Sequence, residues 1–340
     1  MKSTIITHSI ILTLSLVFAF YASIPNFNIE SEEHYILDVD PKEISSLSLS
    51  HKGIHTKMEK DANNHFWISI ENENKGEEGG TPYEYGNKTR YKANPQIHTL
   101  LKNFSPLLTP KIIGTADEAK LKEYGFKDHE YFINVKTRNA EHKILLGNET
   151  FGDKSYYALS PHDQKIFVLP WTMMDNIRVA GFRLMETNLL GLSNSDFATA
   201  KIKHKGKTMN LNFTLDKDKI NGTWSSSNNQ IKTNKRISVW MNTARSSLVH
   251  YYPNEETNQI LSRTPEILSI NFTAKDGREN MISFKKLERK RINKRDGESE
   301  IIETFFAYSS FIGTYVALRS GMKNVISEFN DLIVLSANTP

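Results

Sequence analysis

The sequence contains no cysteine among its 340 residues. This absence excludes disulfide bonds, thiol catalysis, cysteine-ligated zinc, iron–sulfur clusters and a lipid anchor attached through an acylated cysteine. An apolar N-terminal segment is therefore the only means of membrane attachment that the sequence offers. The length favours two domains with ample material for a core, because domains usually contain about 100 to 200 residues.

The sequence also lacks the short motifs that carry most enzymatic chemistry. No G-x-S-x-G, P-loop, dinucleotide-binding or H-E-x-x-H motif is present, so nothing indicates an activated nucleophile, a phosphate cradle or a metal-bound water. We therefore predict no catalytic residue, no cofactor-binding residue, no metal ligand, no cofactor and no enzymatic activity.

A few polar residues still invite comparison with known sites. His162 and Asp163 predict a turn, and Asp38 and Asp40 form a D-x-D pair without the context of a glycosyltransferase. The acidic, glycine-rich stretch at residues 71–80 lacks the ligand spacing of an EF-hand loop. It predicts a surface loop rather than a calcium site.

The net charge of +4 comes from 43 Lys and Arg against 39 Asp and Glu, and the cations are concentrated at residues 285–295. This basic run, KKLERKRINKR, carries seven cations and one Glu, so the rest of the chain sums to about −2 and shows no basic face of the kind that binds nucleic acid. The run predicts a solvated hairpin or exposed loop. A contact with a partner protein or with lipid headgroups is the alternative.

An uncharged apolar segment near the N-terminus, Ile5–Ile24, has 20 residues, enough to cross a bilayer at about 1.5 Å per residue. It predicts an uncleaved anchor within residues 1–30, with a cleaved signal peptide or a buried helix as alternatives. Lys2 precedes the segment, and three acidic residues follow it: Glu30, Glu32 and Glu33. This asymmetry places the residues after about 25 outside the cytoplasm.

Two short helices stand out in a chain that otherwise alternates like antiparallel strands. Asn94 is the expected cap of a helix that begins at Pro95. Its apolar side consists of Ile97, Leu100, Leu101 and Phe104, spaced to pack on a sheet. Thr115 and Glu118 fit a capping box for a second helix, which Gly125 ends.

The same succession of elements returns later in the chain. His204-Lys205-Gly206 repeats His51-Lys52-Gly53 at an offset of 153, and both histidines are expected in exposed turns rather than as paired ligands. Trp224 is expected to correspond to Trp67. At an offset of 140, Asn234 corresponds to Asn94, and the apolar helix positions recur as Ile237, Trp240, Met241 and Ala244.

We therefore predict an α+β fold made of two tandem copies of a mainly antiparallel β unit with short amphipathic helices, after one N-terminal transmembrane helix. The copies should span residues 38–192 and 193–335. A Tyr-Gly pair at the helix end and a Leu-Gly pair at a strand end occur in the first copy. The second copy has Thr264-Pro265 and Phe284-Lys285 in their places.

Several short motifs, taken in order, point to a family. After the anchor come DPKEI at residues 40–44, a Trp-centred strand, a capped helix, KEYGF at 122–126, ILLG at 144–147, YYAL at 156–159 and IFVL at 166–169. This succession resembles the family called domain of unknown function 4340, with Phe126 where the family pattern has Leu. The resemblance implies a bacterial envelope protein, often encoded near ABC-transporter components related to gliding-motility auxiliary proteins. It carries over no site residues.

The favoured hypothesis is a membrane-anchored, extracytoplasmic binding or scaffold protein of the bacterial inner membrane, accessory to an ABC-type envelope transport system. A passive structural spacer of the envelope is the second hypothesis, and an enzyme that modifies envelope glycan or peptide is the third. The expected partners are the membrane and other envelope or ABC-transporter proteins. Neither nucleic acid nor a specific small molecule is expected.

Overall fold

Antiparallel β-sheets with a few short helices make up the fold, so the expected α+β, β-rich class is confirmed. A computed structural model describes residues 34–337 except 73–87, 110, 129, 153, 161, 218–221, 227–230, 246–248, 293–298 and 320–321. The strands of this part of the chain form a nine-stranded sheet, an eight-stranded sheet and one separate pair. The separate pair joins β1 (His34–Leu37) to β6 (Leu107–Thr109).

The first sheet takes its strands from the N-terminal half of the chain. In hydrogen-bonded order they are β5 (Lys88–Lys92), β4 (Phe66–Asn72), β3 (Ile54–Lys60), β2 (Ser46–His51), β8 (Tyr131–Lys136), β9 (Glu141–Glu149), β10 (Tyr156–Ser160), β11 (Lys165–Leu169) and β7 (Ile112–Thr115). Its helices are α1 (Ile97–Phe104), α2 (Glu118–Glu123), α3 (Trp171–Arg178) and α4 (Ala180–Arg183).

The second sheet takes its strands from the C-terminal half. In hydrogen-bonded order they are β14 (Gly222–Ser226), β13 (Lys207–Leu215), β12 (Phe197–His204), β16 (Leu268–Ala274), β17 (Glu279–Ile292), β18 (Ser299–Ser309), β19 (Thr314–Leu318) and β15 (Val249–Tyr251). Its helices are α5 (Ile231–Arg245), α6 (Glu255–Arg263) and α7 (Met322–Ala337).

The two sheets share one strand order. The eight strands of the second sheet stand in the positions of β4, β3, β2, β8, β9, β10, β11 and β7, and β5 extends the first sheet beyond this set. The registers agree as well, because Leu49 pairs with Ile133 as Ile202 pairs with Ile270. The expected apolar sides of α1 and α5 are confirmed as core-facing: Ile97, Leu101 and Phe104, and Ile237, Trp240, Met241 and Ala244, are at most 2% exposed.

The expected match between Trp224 and Trp67 is wrong by one residue. When the two His-Lys-Gly turns are aligned, Trp224, which pairs with Phe213, falls at the position of Phe66. Successive strand side chains point to opposite faces, so this shift separates the fully buried Trp224 from the half-buried Trp67. The Trp67 indole instead donates from Nε1 to Asp61 Oδ2 at 3.0 Å.

The expected helix starts also need correction. The capping box of Thr115 and Glu118 does not form, because the backbone of Thr115 pairs with Lys165 in the first sheet. The cap is Asp117, whose carboxylate accepts from the Lys120 amide at 2.8 Å. Gly125, with φ +76°, lies just beyond the end of α2 as expected.

The two caps expected for α1 and α5, Asn94 and Asn234, have different outcomes. α1 begins at Ile97 rather than at Pro95, although Asn94 Oδ1 still accepts from the Gln96 amide at 2.9 Å. Asn234 is not a cap, because α5 begins three residues earlier, at Ile231.

The basic run is an extension of a hairpin and not a loop. Residues 285–292 belong to β17, which pairs with β18 as far as Ile292 and Ser299, while residues 293–295 lie outside the described residues. Its first cation, Lys285, is only 8% exposed. The part of the run at residues 285–292 is therefore paired strand, with β18 as its partner.

A buried junction joins the two sheets. The Lys92 ammonium group, on the edge strand β5, donates to the Phe311 carbonyl at 2.6 Å and lies 4.0 Å from the centre of the Phe311 ring. Tyr252 donates to the Glu186 carbonyl at 2.8 Å and packs against Tyr91, with ring centres 5.7 Å apart. Burial raises the pKa of Tyr252 well above its ordinary value, so its hydroxyl keeps the proton it donates.

The connection between the sheets is itself fastened to the second sheet. Ser309 Oγ donates to the Leu189 carbonyl, and Asn280 Nδ2 donates to the Leu190 carbonyl at 2.8 Å. Gly191 has φ +61°, and a Cβ there would come within 2.3 Å of the Phe311 ring. The connection therefore packs directly on the residue that Lys92 holds, and one continuous apolar cluster includes residues of both sheets.

Among the residues that the structure describes, no helix has both the length and the apolar character needed to cross a bilayer. The expected anchor at residues 1–30 and most of the acidic stretch at 71–80 lie outside the described residues. The boundaries at 38–192 and 193–335 stay a prediction.

Replacement of Lys92 by Met should lower the free energy of unfolding by about 1–3 kcal/mol, because it leaves the Phe311 carbonyl without its buried donor. Urea denaturation measures this change. Lys143→Met is the matched control, since Lys143 lies 4.5 Å from the Phe132 ring centre but is exposed; its effect should stay within about 0.5 kcal/mol. Equal losses for both variants would contradict a junction that depends on the buried hydrogen bond.

Candidate functional site

A groove on the first sheet lies between α1 and the pair α3 and α4. It arises because the apolar side of α1 faces the core and leaves Gln96, Thr99 and Asn103 on the opposite, exposed side. α3 starts directly after Pro170, whose extended backbone turns the chain out of β11. The two helical segments then run beside each other with a cleft of about 430 Å³ between them.

The lining of this groove combines polar walls with an apolar floor. The walls carry three side-chain amides, one hydroxyl and one guanidinium, from Gln96, Asn103, Asn176, Thr99 and Arg183. The floor consists of Leu100, Phe104, Met173 and Leu184. A concave site with an apolar base and a few converging polar groups is the usual form of a ligand-binding pocket.

Asn94 fixes the width of the groove. Its backbone amide donates to the Leu184 carbonyl at 2.7 Å, and its side-chain Nδ2 donates to the carbonyls of Arg183 at 3.1 Å and Met185 at 3.3 Å. Its Oδ1 meanwhile accepts from the Gln96 amide. The residue expected only as a helix cap thus ties the start of α1 to the end of α4.

The Tyr-Gly and Leu-Gly pairs of the first copy touch each other. The Asn148 amide donates to the Tyr124 carbonyl at 2.7 Å, and a Cβ on Gly147 would lie 2.2 Å from that same oxygen. Gly147 does not end its strand as expected, because β9 continues to Glu149. Glycine is needed there so that the end of α2 can lie directly on β9.

His51 and His204 are not exposed turn residues, which corrects the expectation for both. Their relative exposures are 4% and 5%, because each is the last residue of its strand and its ring points into the protein, while the following Lys-Gly pair makes the turn. The ring of His51 packs on Tyr131 and Tyr156 at centroid distances of 4.8 and 5.0 Å. His204 Nδ1 lies 2.7 Å from the Ile267 carbonyl oxygen.

A small polar network lies beside His51. The Lys52 ammonium group is 3.4 Å from the Tyr156 hydroxyl, which donates to Glu149 Oε2 at 3.3 Å. Burial raises the pKa of Tyr156, and the Lys52 charge opposes this effect. The tyrosine therefore stays protonated and acts as a hydrogen-bond bridge in a partly exposed ion pair.

The described part of the second sheet makes its helix–strand contact through a side chain. A residue count along the matched strands places Lys285 where the first copy has Gly147, and Lys285 Nζ donates to the Leu261 carbonyl at 2.6 Å and to Tyr315 at 3.0 Å. A long side chain thus replaces the direct backbone contact between Asn148 and Tyr124.

A second groove, of about 330 Å³, lies between α5 and α7 at the place that corresponds to the first. Its lining carries charges of both signs, from Lys235, Arg236 and Glu328, over Val239, Trp240 and Leu332. The first groove differs because Arg183 is the one charged residue among the described residues of its lining.

The other polar residues considered from sequence form no common site. His162 Nδ1 is 2.8 Å from Asp163 Oδ1 in an exposed turn, as expected. Asp40 accepts from the Lys42 amide at 2.8 Å within a turn of its own. Within the described residues, no three His, Asp or Glu side chains are grouped closely enough to hold a metal ion.

Sequence reasoning did not find the groove residues Asn103, Asn176 and Arg183. Each belongs to a helix whose polar side looks like ordinary solvated surface, and the signal appears only when α1 and α4 are brought together. The amphipathic stripe of α1 does indicate which of its residues point outwards, and this was the one signal available.

Comparison with known proteins gives a match to a family model. Residues 85–249 match the model of a family described as Domain of unknown function (DUF4340), which spans the groove and the junction strand β5. No curated protein and no solved structure matches the chain.

Replacement of Asn94 by Ala should lower the free energy of unfolding by about 1–2 kcal/mol, because three side-chain hydrogen bonds are lost. Hydrogen exchange should accelerate on both sides of the groove, at the amides of Gln96 and Leu184. Asn254→Ala is the control, since Asn254 caps α6 through the Thr257 amide at 2.9 Å; its effect should be confined to α6. Faster exchange at Gln96 alone would contradict the bridging role of Asn94.

Proposed function

Residues 85–249 match the DUF4340 family model, and from this premise we propose that the chain is a membrane-anchored, extracytoplasmic binding and scaffold protein accessory to an ABC-type envelope transport system. The groove between α1 and α4 is the observation that carries the binding role. Its amides, its guanidinium and its apolar floor converge on one cleft, which is the composition of a recognition site.

We also propose that the two sheets are tandem copies of one unit, near residues 38–192 and 193–335, and that only the first copy binds. Shared strand order and shared register support the duplication. The second copy has charges of both signs in its groove and a buried lysine at its helix–strand contact. This composition suits a supporting role in the scaffold.

The membrane part of the proposal comes from the sequence. Ile5–Ile24 contains no charged side chain and has the length of a membrane span. The acidic residues that follow it favour a body outside the cytoplasm. A binding module anchored on that side of the membrane would meet the extracytoplasmic face of a transport complex.

The absence of cysteine allows one experiment to test both location and association. A single thiol introduced by Asn63→Cys, in the exposed turn between β3 and β4, should react with a membrane-impermeant biotin maleimide in intact cells. The labelled chain is then captured on streptavidin from detergent-solubilised membranes, and co-purifying proteins are identified by mass spectrometry. We expect labelling before lysis and reproducible recovery of ABC-transporter subunits.

The natural, cysteine-free chain is the control and should remain unlabelled. Labelling of Asn63→Cys only after lysis would overturn the extracytoplasmic location. Labelling in intact cells with no reproducible transporter subunit would overturn the accessory role and favour a passive spacer.

A further inference from the structure

The groove on the first sheet has the dimensions of a site for a short chain segment rather than for a single ion or water. Its volume of about 430 Å³ lies within the range of about 300–1,000 Å³ that small ligands occupy. Leu100 and Met173 are partly exposed on its floor, whereas Phe104 and Leu184 close the floor from beneath. Small apolar side chains would therefore find contacts there.

The charge of the groove is of one sign. Arg183 is exposed and is the one charged residue among those that line the cleft. Its guanidinium makes a long hydrogen bond from Nη1 to Asn176 Oδ1, at 3.4 Å, whereas Arg178 on the neighbouring helix pairs with Asp175 at 2.6 Å. A ligand carboxylate can thus pair with Arg183 without displacing a carboxylate of the groove itself.

The amide side chains suit a peptide backbone. Gln96, Asn103 and Asn176 each offer both a donor and an acceptor, and they come from both walls of the cleft. An extended peptide presents alternating N–H and C=O groups that match such pairs. Among the lining residues whose side chains the structure describes, Phe104 is the one aromatic; it is 2% exposed and gives no face on which a sugar ring could stack.

The second groove provides an internal comparison. There Arg236 and Lys235 share the lining with Glu328, so the protein supplies its own anion beside the cations. Charge complementarity toward an outside carboxylate is therefore specific to the first groove.

We propose that the groove between α1 and α4 binds an extended acidic peptide segment, whose carboxylate pairs with Arg183 and whose backbone bonds to Gln96, Asn103 and Asn176. This inference rests on the binding role proposed above and names the class of its ligand. The segment belongs to a partner protein that carries an acidic residue among small or apolar ones.

Fluorescence polarisation with the full chain in detergent tests the proposal. The probes are two fluorescein-labelled heptapeptide pools, blocked at both ends, with Glu or Gln fixed at the centre and mixed Ala, Leu, Val and Ser elsewhere. The Glu pool should bind about tenfold more tightly, because a charge-assisted pair replaces a neutral hydrogen bond. Arg183→Gln should bring the ratio of the two affinities to about one.

Arg236→Gln, in the second groove, is the matched control and should leave the tenfold preference unchanged. Equal affinity of the natural chain for both pools, no binding of either pool, or loss of the preference in Arg236→Gln would each overturn the proposal. Competition by a chitin tetrasaccharide but not by unlabelled Glu peptide would also overturn it, in favour of a glycan ligand. Any of these results combined with intact-cell labelling and transporter recovery would reject the peptide class and leave the proposed function standing.

Discussion

A buried ammonium group lies among the contacts that hold the two halves of this molecule together. Lys92 stands at the end of β5, and its hydrogen bond to the Phe311 carbonyl crosses from the first sheet to the second. Burial lowers the pKa of Lys92, and the Glu186 charge opposes this by favouring the protonated form. The positive charge of Lys92 is stabilised there because the Phe311 carbonyl and the Phe311 ring face it. Among the described strands of the first sheet, β5 is also the one that has no counterpart in the second sheet. The junction therefore lies at a strand that only the first sheet contains.

The contrast between the halves at the helix–strand contact explains why we assign the binding surface to the first. In the first half a backbone amide meets a backbone carbonyl, at Asn148 and Tyr124, and Gly147 leaves the space for this approach. In the second half the Lys285 side chain instead reaches the Leu261 carbonyl, within α6. The strand order beneath is shared while the surface chemistry differs, and this difference supports the proposal that the two halves have different roles.

Much of the fold could be predicted from the sequence because period-2 and period-3.6 patterns reflect burial directly. The mainly antiparallel strands and the apolar side of α1 followed from those patterns and are confirmed. The exact register between the two sheets could not be predicted from these patterns. A match of Trp224 to Trp67 and a match of Trp224 to Phe66 both leave the apolar pattern within each single strand unchanged. His51 and His204 were placed wrongly because turn chemistry belongs to the Lys-Gly pair after them and says nothing about the direction of the histidine ring.

The candidate site was beyond sequence reasoning for a different reason. Asn94 has a cap-like context, yet its donors reach residues about 90 positions away in the chain, at Arg183 and Met185. Arg183 itself is the last residue of the short helix α4, which has no recognisable motif. Such contacts depend on the junction and the sheet that bring α1 and α4 together, and a local pattern cannot contain them.

The junction requires that the two sheets act as one folded body, and the four tryptophans allow a direct measurement. Trp67 and Trp171 lie in the first half, and Trp224 and Trp240 in the second. In the chain labelled with 5-fluorotryptophan, ¹⁹F NMR through a urea titration follows all four sites at once. The account predicts that the four native resonances disappear with the same midpoint. Separate midpoints for the first pair and the second pair would contradict it, because the sheets would then unfold independently of the Lys92 junction.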